Sequence, residues 1–469
     1  MRVNPEFRRN VWVQFTWTRL VVAPLVTFIG CYAFLLVWEP RWLQSISEFV
    51  GGSLIVGLWG TRRAADALAE EISGGTWEGQ RMSGLGAWEM TWGKLLGGVS
   101  FVWYCAAIAL LVTFWASNLV EAAGGIGRPP WQVAFDFVIG GMMAQAAAFA
   151  IALLLLRKAA QYRRLTITLA QSCGFLLYFF VVRGGFWTQS PARFHAVDSA
   201  LSGGEAILPG ISLDSQLFRM VMIAVGCAWI VLGAYRLMRT ELQYRSLPWV
   251  WTLFLVFVVF AGAVVSAGTM DGWSARLAAS FVIMVLLTYL SFFADNRDPV
   301  RYRWALLAVR SGKWMEVFSA IPWWVISYIF AAVVAAAIVW WMPAIVGVDL
   351  AGHAAPALRM FAMALQRLPA SLVLVMLFML RDLLVLLWLS CGPWRAKADI
   401  AGMIYVAVVY WPLAAVLWVT GGVRLLPVVV PIATGVPAVD FVPIGIELTF
   451  ALFLFYARWR EISRLKVRV

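Results

Sequence analysis

The sequence is poor in charged residues, in histidine and in paired cysteines, and each shortage excludes a class of protein. Only 13% of its residues are charged, whereas a soluble globular chain has roughly 25%. Five cysteines at scattered spacings, with no CxxC pair, argue against a disulfide framework and against a zinc site. Two histidines that lie far apart argue against any other metal centre. The ATP-binding pattern GxxxxGK followed by Ser or Thr is also missing, so we expect neither ATP hydrolysis nor a bound cofactor in this chain.

Long hydrophobic runs make up most of the chain. Of its 469 residues, 62% are hydrophobic, and they recur in stretches of about eighteen residues or more, the length that crosses a bilayer. Alternating ten-residue segments, which a β-barrel would need, are not seen. The sequence therefore predicts an all-α polytopic membrane protein with about twelve transmembrane helices. The predicted spans are 19–38, 43–60, 95–116, 133–156, 165–182, 216–235, 249–267, 275–293, 321–341, 368–390, 399–419 and 441–457.

Lys and Arg residues are distributed unevenly among the segments that connect these spans. Most of the 37 fall on one side of the membrane if the N-terminus lies inside. The positive-inside rule then predicts cytosolic N- and C-termini and an even number of spans, in a bacterial cytoplasmic (inner) membrane. The net charge of +13 is thereby explained without nucleic-acid binding, which we do not expect. The two longest outer segments, 183–215 and 342–367, are too short to be catalytic domains.

Residues 1–18 predict an amphipathic helix that lies on the inner surface of the membrane. Asn4 is a typical N-cap, and the proline after it suits the first helical position. Phe7, Val11 and Phe15 then share one face, and the basic residues lie off that face. The alternative is a frayed tail that is merely basic.

A polar stretch, residues 61–94, lies between the second and third predicted spans. Its first half predicts a helix whose small and apolar residues share one face: Ala64, Ala65, Leu68 and Ile72. The run 73–75 should end that helix, because glycine tolerates the backbone angles of a C-terminal cap. Thr76 should cap a second short helix, and Glu78 and Glu89 should place carboxylates on a cytosolic knob. The alternative is a solvated loop whose charges only keep it out of the bilayer.

The spacing Glu-x-x-x-Gly-Thr-x-Glu, with Gly-Lys fifteen residues further on, resembles the coupling loop of type-2 ABC exporter permeases. The residues that occupy the positions of the family pattern are Glu71, Gly75, Thr76, Glu78, Trp88, Glu89, Gly93 and Lys94. The sequence departs from the pattern at Gly84 and Gly86, where the family usually carries a proline and a serine. The resemblance extends over about residues 4–239 and is much weaker beyond them.

This resemblance implies a function and a set of partners. The chain would be the membrane-spanning permease subunit of an ATP-driven ABC exporter, in a twelve-span form. ATP and Mg²⁺ would be bound by a separate cytosolic ABC ATP-binding subunit, present in two copies, which would dock on residues 61–94 and also on 294–320. The other expected partners are the lipid bilayer and a further permease subunit. The transported substrate is not implied.

The chain predicts two halves, each with six spans. Residues 19–240 form the first half, with the coupling loop at 61–94, and residues 241–469 form the second, with a cytosolic loop at 294–320. In this second loop, Ser-Gly-Lys-Trp-Met-Glu at 311–316 echoes the Ser-Gly and Trp-Glu pairs of the first loop. If the halves are degenerate tandem copies, one chain forms the unit that the family normally builds from two six-span subunits.

Ionisable residues inside predicted spans are costly and often functional. Arg381 and Asp382 lie within the tenth span and point about 100° apart, so we expect their partners on other helices. They form either a gate or proton relay, or an interhelical ion pair. Asp136, Arg219 and Glu447 lie near the outer ends of their spans, where they can snorkel to the surface or line a polar path.

Two other functions compete with the exporter. An ion-coupled secondary transporter would use Arg381, Asp382 and Asp136, but it predicts paired Gly/Pro breaks near the midplane, which are not seen in matched positions. A membrane glycosyltransferase or another lipid-modifying enzyme would need an acidic pair in an outer loop, and the first outer loop spans only about residues 39–42. Both alternatives leave residues 61–94 unexplained.

Overall fold

The computed structural model describes residues 4–122, 129–159, 163–182, 215–242, 244, 248–265, 273–295, 299–341, 367–392, 398–420, 426–431 and 433–464. Every regular element in these ranges is a helix, which confirms the all-α fold class. The predicted outer segments at 183–215 and 342–367 lie, except for their last residues, outside the described part of the chain.

Two compact units divide the chain, Met1–Ser246 (unit 1) and Leu247–Val469 (unit 2). Unit 1 contains α1 (Pro5–Gln14), α2 (Trp17–Leu35), α3 (Pro40–Glu48), α4 (Gly60–Ser73), α5 (Trp77–Arg81), α6 (Ala87–Gly97), α7 (Ser100–Ala122), α8 (Pro130–Phe135), α9 (Gly141–Ala159), α10 (Arg163–Leu177) and α11 (Ser215–Glu241). Unit 2 contains α12 (Trp249–Val265), α13 (Trp273–Ala294), α14 (Pro299–Arg310), α15 (Trp314–Ala320), α16 (Trp323–Trp341), α17 (Leu368–Ser390), α18 (Ala398–Val408), α19 (Ala414–Val419), α20 (Leu426–Val429) and α21 (Pro437–Arg464). Four π-helical segments continue neighbouring α-helices: π1 (Phe49–Trp59), π2 (Asp136–Gly140), π3 (Tyr178–Val182) and π4 (Val409–Leu413).

Within the described residues, ten helices are long and apolar enough to cross a membrane. They are Trp17–Leu35, Ser100–Ala122, Pro130–Leu156, Arg163–Val182, Arg219–Glu241, Leu277–Ala294, Trp323–Trp340, Leu368–Ser390, Ala398–Leu417 and Pro437–Glu461. The predicted span at 249–267 is a shorter apolar helix, Trp249–Ala263. The predicted span at 43–60 is divided between α3 and π1. A multi-pass membrane protein is therefore supported, while the count of twelve and the side of the termini stay predictions.

The π-helical segment π1 packs its glycine-rich side into the core of unit 1. Its backbone hydrogen bonds reach one residue further than in an α-helix, as where the amide of Gly60 meets the carbonyl of Ile55. Close packing requires glycine here: a Cβ on Gly51 would lie 2.6 Å from the ring of Phe137 and 2.7 Å from Ala109 Cβ. The glycines thus let π1 approach its neighbours within the bundle.

Unit 2 has a separate apolar core, formed by residues of α12, α13, α16 and α17. Met284, Phe292, Ala331 and Leu383 are fully buried in it. The short helices α14 and α15 form a hairpin, and Gly312 makes the turn between them with a φ of +68°. Both short helices fall within the predicted cytosolic loop 294–320.

We predict that Gly51→Ala destabilises unit 1 by roughly 1–3 kcal/mol, because the added methyl group overpacks a core position. The control is Gly30→Ala in α2, where an added Cβ would meet no atom within 4 Å. The measurement is the melting temperature of the purified chain in mild detergent. Equal melting temperatures for the two variants would contradict the close packing of π1.

Candidate functional site

The polar stretch 61–94 folds as three helices, α4, α5 and α6. Ala64 and Leu68 on α4 are fully buried, which confirms the face that the sequence predicts. The helix ends at Ser73, as predicted, and Gly75 follows with a φ of +69°. Glycine adopts this left-handed conformation without strain, so the turn explains why a glycine stands at this position of the pattern.

Thr76 does not cap α5 with its side chain, so that prediction is wrong. Its backbone is already helical, with φ −84° and ψ −14°, whereas a side-chain cap requires an extended backbone at the capping residue. Its hydroxyl turns back instead and donates to the carbonyl oxygen of Glu71 at 3.3 Å. Thr76 therefore closes the end of α4.

Glu89 has a local role at the start of α6. Gly86 precedes this helix and has no side chain to cap it. The Glu89 carboxylate accepts a hydrogen bond from the Gly86 amide at 3.2 Å, which satisfies one of the open donors of the first turn. The departure from the family pattern at Gly86 is thus compensated within the helix.

Lys94 lies at the centre of the site, with only 1% of its side chain exposed. Its ammonium group donates to Glu71 Oε2, to Glu6 Oε1 at 3.1 Å and to Gln80 Oε1 at 2.7 Å. It also lies 5.5 Å from the centre of the Trp77 ring, over its face. The residue with which the family pattern ends is thus a buried cation that joins α1, α4 and α5.

Arg9 balances the charge of this cluster. Its guanidinium donates to Glu71 Oε1 at 2.5 Å and to Glu6 Oε1 at 2.9 Å. The side-chain amide of Gln80 also donates to Glu71 Oε1, at 2.9 Å. Two cations therefore face two carboxylates. We call Glu6, Arg9, Glu71, Gln80 and Lys94 the Lys94 cluster.

Polar side chains fasten α1 along the length of α6. The amides of Asn4 and Asn10 donate to the carbonyl oxygens of Glu89 at 2.6 Å and of Gly93 at 3.3 Å. Gly93 has to lack a side chain, because a Cβ there would lie 2.7 Å from Glu6 Cβ. The predicted N-terminal helix thus exists, and it is a fixed part of the site.

Gln14, at the end of α1, occupies a break between α6 and α7. Its side chain donates to the carbonyl of Gly98 at 2.6 Å and accepts from the amide of Phe101 at 3.2 Å and the hydroxyl of Ser100 at 3.1 Å. These bonds satisfy groups that two helix ends leave open. The predicted span at 95–116 is therefore wrong at its start: the long helix begins at Ser100, after the break.

The residues of the family pattern divide into two groups. Glu71, Gly93 and Lys94 point inward, as described above. The exposed group is Gly75, Thr76, Glu78, Trp88 and Glu89. Glu78 is 72% exposed and accepts from Arg81 at 3.1 Å, and the half-exposed Trp88 makes an edge contact with Tyr235. Met82, which the sequence pattern did not single out, is 88% exposed beside them.

The sequence also gave no sign of Glu6 and Arg9 as members of the site. Both belong to a segment that is helical as predicted, but periodicity says nothing of what packs against such a helix. A buried lysine requires carboxylate partners. The need for a second carboxylate partner was the only signal that could have pointed to Glu6, and it arises only once Lys94 is known to be buried.

The environment of Glu71 shifts its acidity. Burial alone would raise the pKa of this carboxyl group, but the Lys94 ammonium and the hydrogen bonds from Lys94, Gln80 and Arg9 outweigh burial. The net pKa of Glu71 lies below its ordinary value. The carboxylate is thus held ionised in the folded chain.

In unit 1, Asp136 and Arg219 form a buried ion pair within predicted spans. Arg219 Nη1 lies 3.2 Å from Asp136 Oδ1, and it also donates to the carbonyl of Val182 at 3.4 Å. Both side chains are almost fully buried. The expectation that they snorkel is wrong for both residues, because each finds an opposite charge on a neighbouring helix and does not need to reach the membrane surface.

In unit 2, Arg381 and Asp382 bind each other as well as other helices. The expected partners on other helices are present, and in addition the long Arg381 side chain folds back and donates twice to Asp382 Oδ1, at 2.8 and 3.0 Å. Its third bond, at 2.5 Å, goes to Glu447 on α21. The interhelical ion pair is therefore present, and Glu447 does not snorkel to the surface.

Three tyrosines complete this group, which we call the Arg381 cluster. Tyr289 and Tyr410 each donate to Asp382 Oδ2 at 2.7 Å, and Tyr405 donates to Oδ1 at 2.9 Å. Asp382 is fully buried among them. Neither this cluster nor any other described set of three or more His, Cys, Asp and Glu residues is arranged to hold a metal ion.

We predict that Lys94→Met destabilises unit 1 by about 3–5 kcal/mol, because it leaves two buried carboxylates with one cation. Lys313→Met is the control, since Lys313 is exposed in an i,i+3 pair with Glu316. The measurement is thermal unfolding of both variants in detergent. A Lys94→Met protein as stable as the control would contradict the role of the Lys94 cluster.

We also predict a pH dependence that belongs to Glu71. Because its pKa is lower in the folded chain, its stabilisation is present above the ordinary value of 4.5 and is lost as the pH falls through the lowered value. The melting temperature of the native protein should therefore fall more steeply on acidification than that of Glu71→Gln. Glu70→Gln, at the exposed neighbouring carboxylate, should keep the native slope. A native slope in Glu71→Gln would contradict the assignment.

The comparisons with known proteins add no relative to this picture. The roles of the eight pattern residues therefore depend on their own geometry and on the resemblance of their spacing. No model of a protein family, no curated protein and no solved structure matches the chain.

Proposed function

We propose that this chain is the membrane-spanning permease subunit of an ATP-driven ABC exporter, and that residues 61–94 receive a separate cytosolic ATP-binding subunit. One observation supports this most directly: the stretch has a fixed inner side, the Lys94 cluster, and an exposed tip. A loop that only had to stay out of the bilayer would not need a buried lysine paired with two carboxylates beneath it. The ATPase would bind ATP and Mg²⁺, and this chain would convert its movement into transport.

The exposed tip has the composition of a docking surface. Met82 and Trp88 present apolar area outside the apolar helices, and Glu78 and Glu89 present carboxylates beside them. Aromatic and Met side chains are enriched in interface cores, and charged groups at the rim set partner choice. The expected partner is a cleft with an apolar floor and basic residues around it.

The frame behind the tip is suited to transmit force. Gly60, the first residue of α4, directly follows π1, and Thr61 donates to the carbonyl of Gly57 at 2.5 Å across that junction. Gln145 on α9 binds the carbonyl of Val56 at 3.3 Å. A push on α5 would thus pass through α4 into π1 and its neighbours without crossing a flexible loop. In the proposal, this movement switches the bundle between inward-facing and outward-facing states.

A second ATPase copy would dock on unit 2, at the hairpin of α14 and α15. This hairpin has the same sequence of parts as the tip of unit 1: a helix, a glycine with positive φ at Gly312, and a short helix that begins with tryptophan. Trp314 and Met315 are exposed on it. This similarity favours two related halves in one chain; if the hairpin receives no ATPase, a further permease subunit would supply the second docking site.

The ion-coupled secondary transporter remains the second candidate. Ionisable side chains within apolar helices, as in the Arg381 cluster, are the observation that favours it. Asp136 and Asp382 are both engaged with an arginine, so neither is an easily exchanged ion ligand. The exporter proposal therefore accounts for more of the residues.

We predict that Glu78→Lys reduces retention of the ATP-binding subunit by tenfold or more, because reversing a rim charge sets like charges against each other across the interface. Chromatography would show the variant chain still inserted and monodisperse. The experiment purifies the tagged full chain in mild detergent and measures the ATPase that co-purifies.

The matched control is Glu461→Lys, which reverses an exposed carboxylate that is also paired with an arginine three residues away. This control should retain the ATPase at the native level. Unchanged co-purification with Glu78→Lys, or a native chain that carries no ATPase and transports in liposomes without ATP, would overturn the proposal.

A further inference from the structure

The Arg381 cluster has more negative than positive charge. It contains one guanidinium, on Arg381, and two carboxylates, on Asp382 and Glu447. The other ionisable groups that face it from the surrounding helices are the three tyrosines: Tyr289 on α13, Tyr405 on α18 and Tyr410 on π4. No further described Lys, Arg or His side chain contacts these groups. With both carboxylates ionised, the cluster has a net charge of −1.

This charge lies deep within the apolar helices. Asp382 and Glu447 are each at least eight residues from either end of the apolar helices that contain them, which is about 12 Å along a helix axis. The hydrocarbon core is about 30 Å thick, so both carboxylates lie well inside it if these helices cross the bilayer. An uncompensated charge at that depth costs several kcal/mol. The cheapest compensation is a proton on one of the two carboxylates.

Asp382 is the carboxylate that remains charged. Its Oδ1 accepts from Tyr405 and from two nitrogens of Arg381, and its Oδ2 accepts from Tyr289 and Tyr410. A proton on either oxygen would displace at least one of these donors. Asp382 and Arg381 therefore form the neutral pair of the cluster.

Glu447 has a different environment. Its Oε2 accepts one hydrogen bond, from Arg381 at 2.5 Å, while no donor from the described residues reaches Oε1. Its side chain is 32% exposed, so the other groups of the cluster do not enclose it. We propose that Glu447 is a proton-binding site: a hydronium ion transfers its proton to Oε1, so that an O–H bond forms on Glu447 as one breaks in the hydronium ion, a water molecule is released, and the net charge of the cluster changes from −1 to zero.

Binding of this proton would act on the contact between α17 and α21. Oε2 of a neutral acid is a weaker acceptor than that of a carboxylate, so the bond from Arg381 loses strength when Glu447 is protonated. Phe378 and Ile444 are buried in an apolar cluster between the same two helices, so the helices remain in contact. Proton uptake and release would thus change how tightly α21 is held. This inference does not depend on the proposed exporter function.

The test is infrared spectroscopy of the purified full chain in nanodiscs, at neutral and at alkaline pH. We expect a carbonyl stretching band of a protonated carboxylic acid at neutral pH, which shifts in D2O and weakens at alkaline pH. Glu447→Gln should remove this band, and titration of that variant over the same pH step should release about one proton fewer per chain, the number that one carboxyl group binds.

Glu461→Gln is the matched control on the same helix, where the carboxylate is exposed and paired with Arg458; it should leave the band unchanged. Glu447→Asp should restore a band at a shifted frequency, which shows that the loss in Glu447→Gln comes from the missing acid and not from misfolding. A band that persists in Glu447→Gln, or the absence of any band from the native protein, would overturn the proposal.

Discussion

The buried ammonium group of Lys94 is the interaction on which the rest of unit 1 depends. A lysine at this depth requires opposite charge, and its own polar stretch supplies only Glu71 close enough to help. The second carboxylate comes from Glu6, so α1 has to lie across α6. Arg9 then restores neutrality, and Gly93 leaves room for the approach. The position of α1 and its close crossing of α6 thus follow from one charge.

The Lys94 cluster and the Arg381 cluster both pair buried carboxylates with cations, but their net charges differ. In the Lys94 cluster two cations face two carboxylates, outside the long apolar helices, and the result is a neutral junction held by hydrogen bonds. In the Arg381 cluster one cation faces two carboxylates among apolar helices. The first arrangement suits a part that has to stay rigid. In our proposal the second can gain or lose a proton and thereby change the strength of the bond between Arg381 and Glu447, which suits a part that responds to its surroundings.

Most of the fold could be predicted from the sequence, because hydrophobic runs and helical periodicity are local signals. The buried face at Ala64 and Leu68 and the turn at Gly75 belong to this class. The remainder depends on contacts between distant residues. Glu6 and Lys94 are far apart in the chain. The backbone conformation of Thr76, which decides where its hydroxyl donates, cannot be predicted from residue propensities. The close approach of Phe137 to the glycines of π1 is another such contact. A sequence pattern also cannot say that Lys94 points inward while Glu78 points outward.

The α4–α5 turn of unit 1 and the α14–α15 hairpin of unit 2 share a backbone conformation but differ in the contacts that hold their short helices. Gly75 and Gly312 have almost the same φ, and each precedes a short helix that begins with tryptophan. Trp77 is buried in the apolar core of unit 1, with the Lys94 ammonium over its ring, whereas Trp314 is exposed. The one described lysine of unit 2, Lys313, is itself exposed, so nothing equivalent draws Trp314 inward. The same backbone turn therefore does not ensure that the tryptophan after it is buried. The apolar side chains of the second hairpin stay exposed in unit 2, and in our proposal the second ATPase copy covers them.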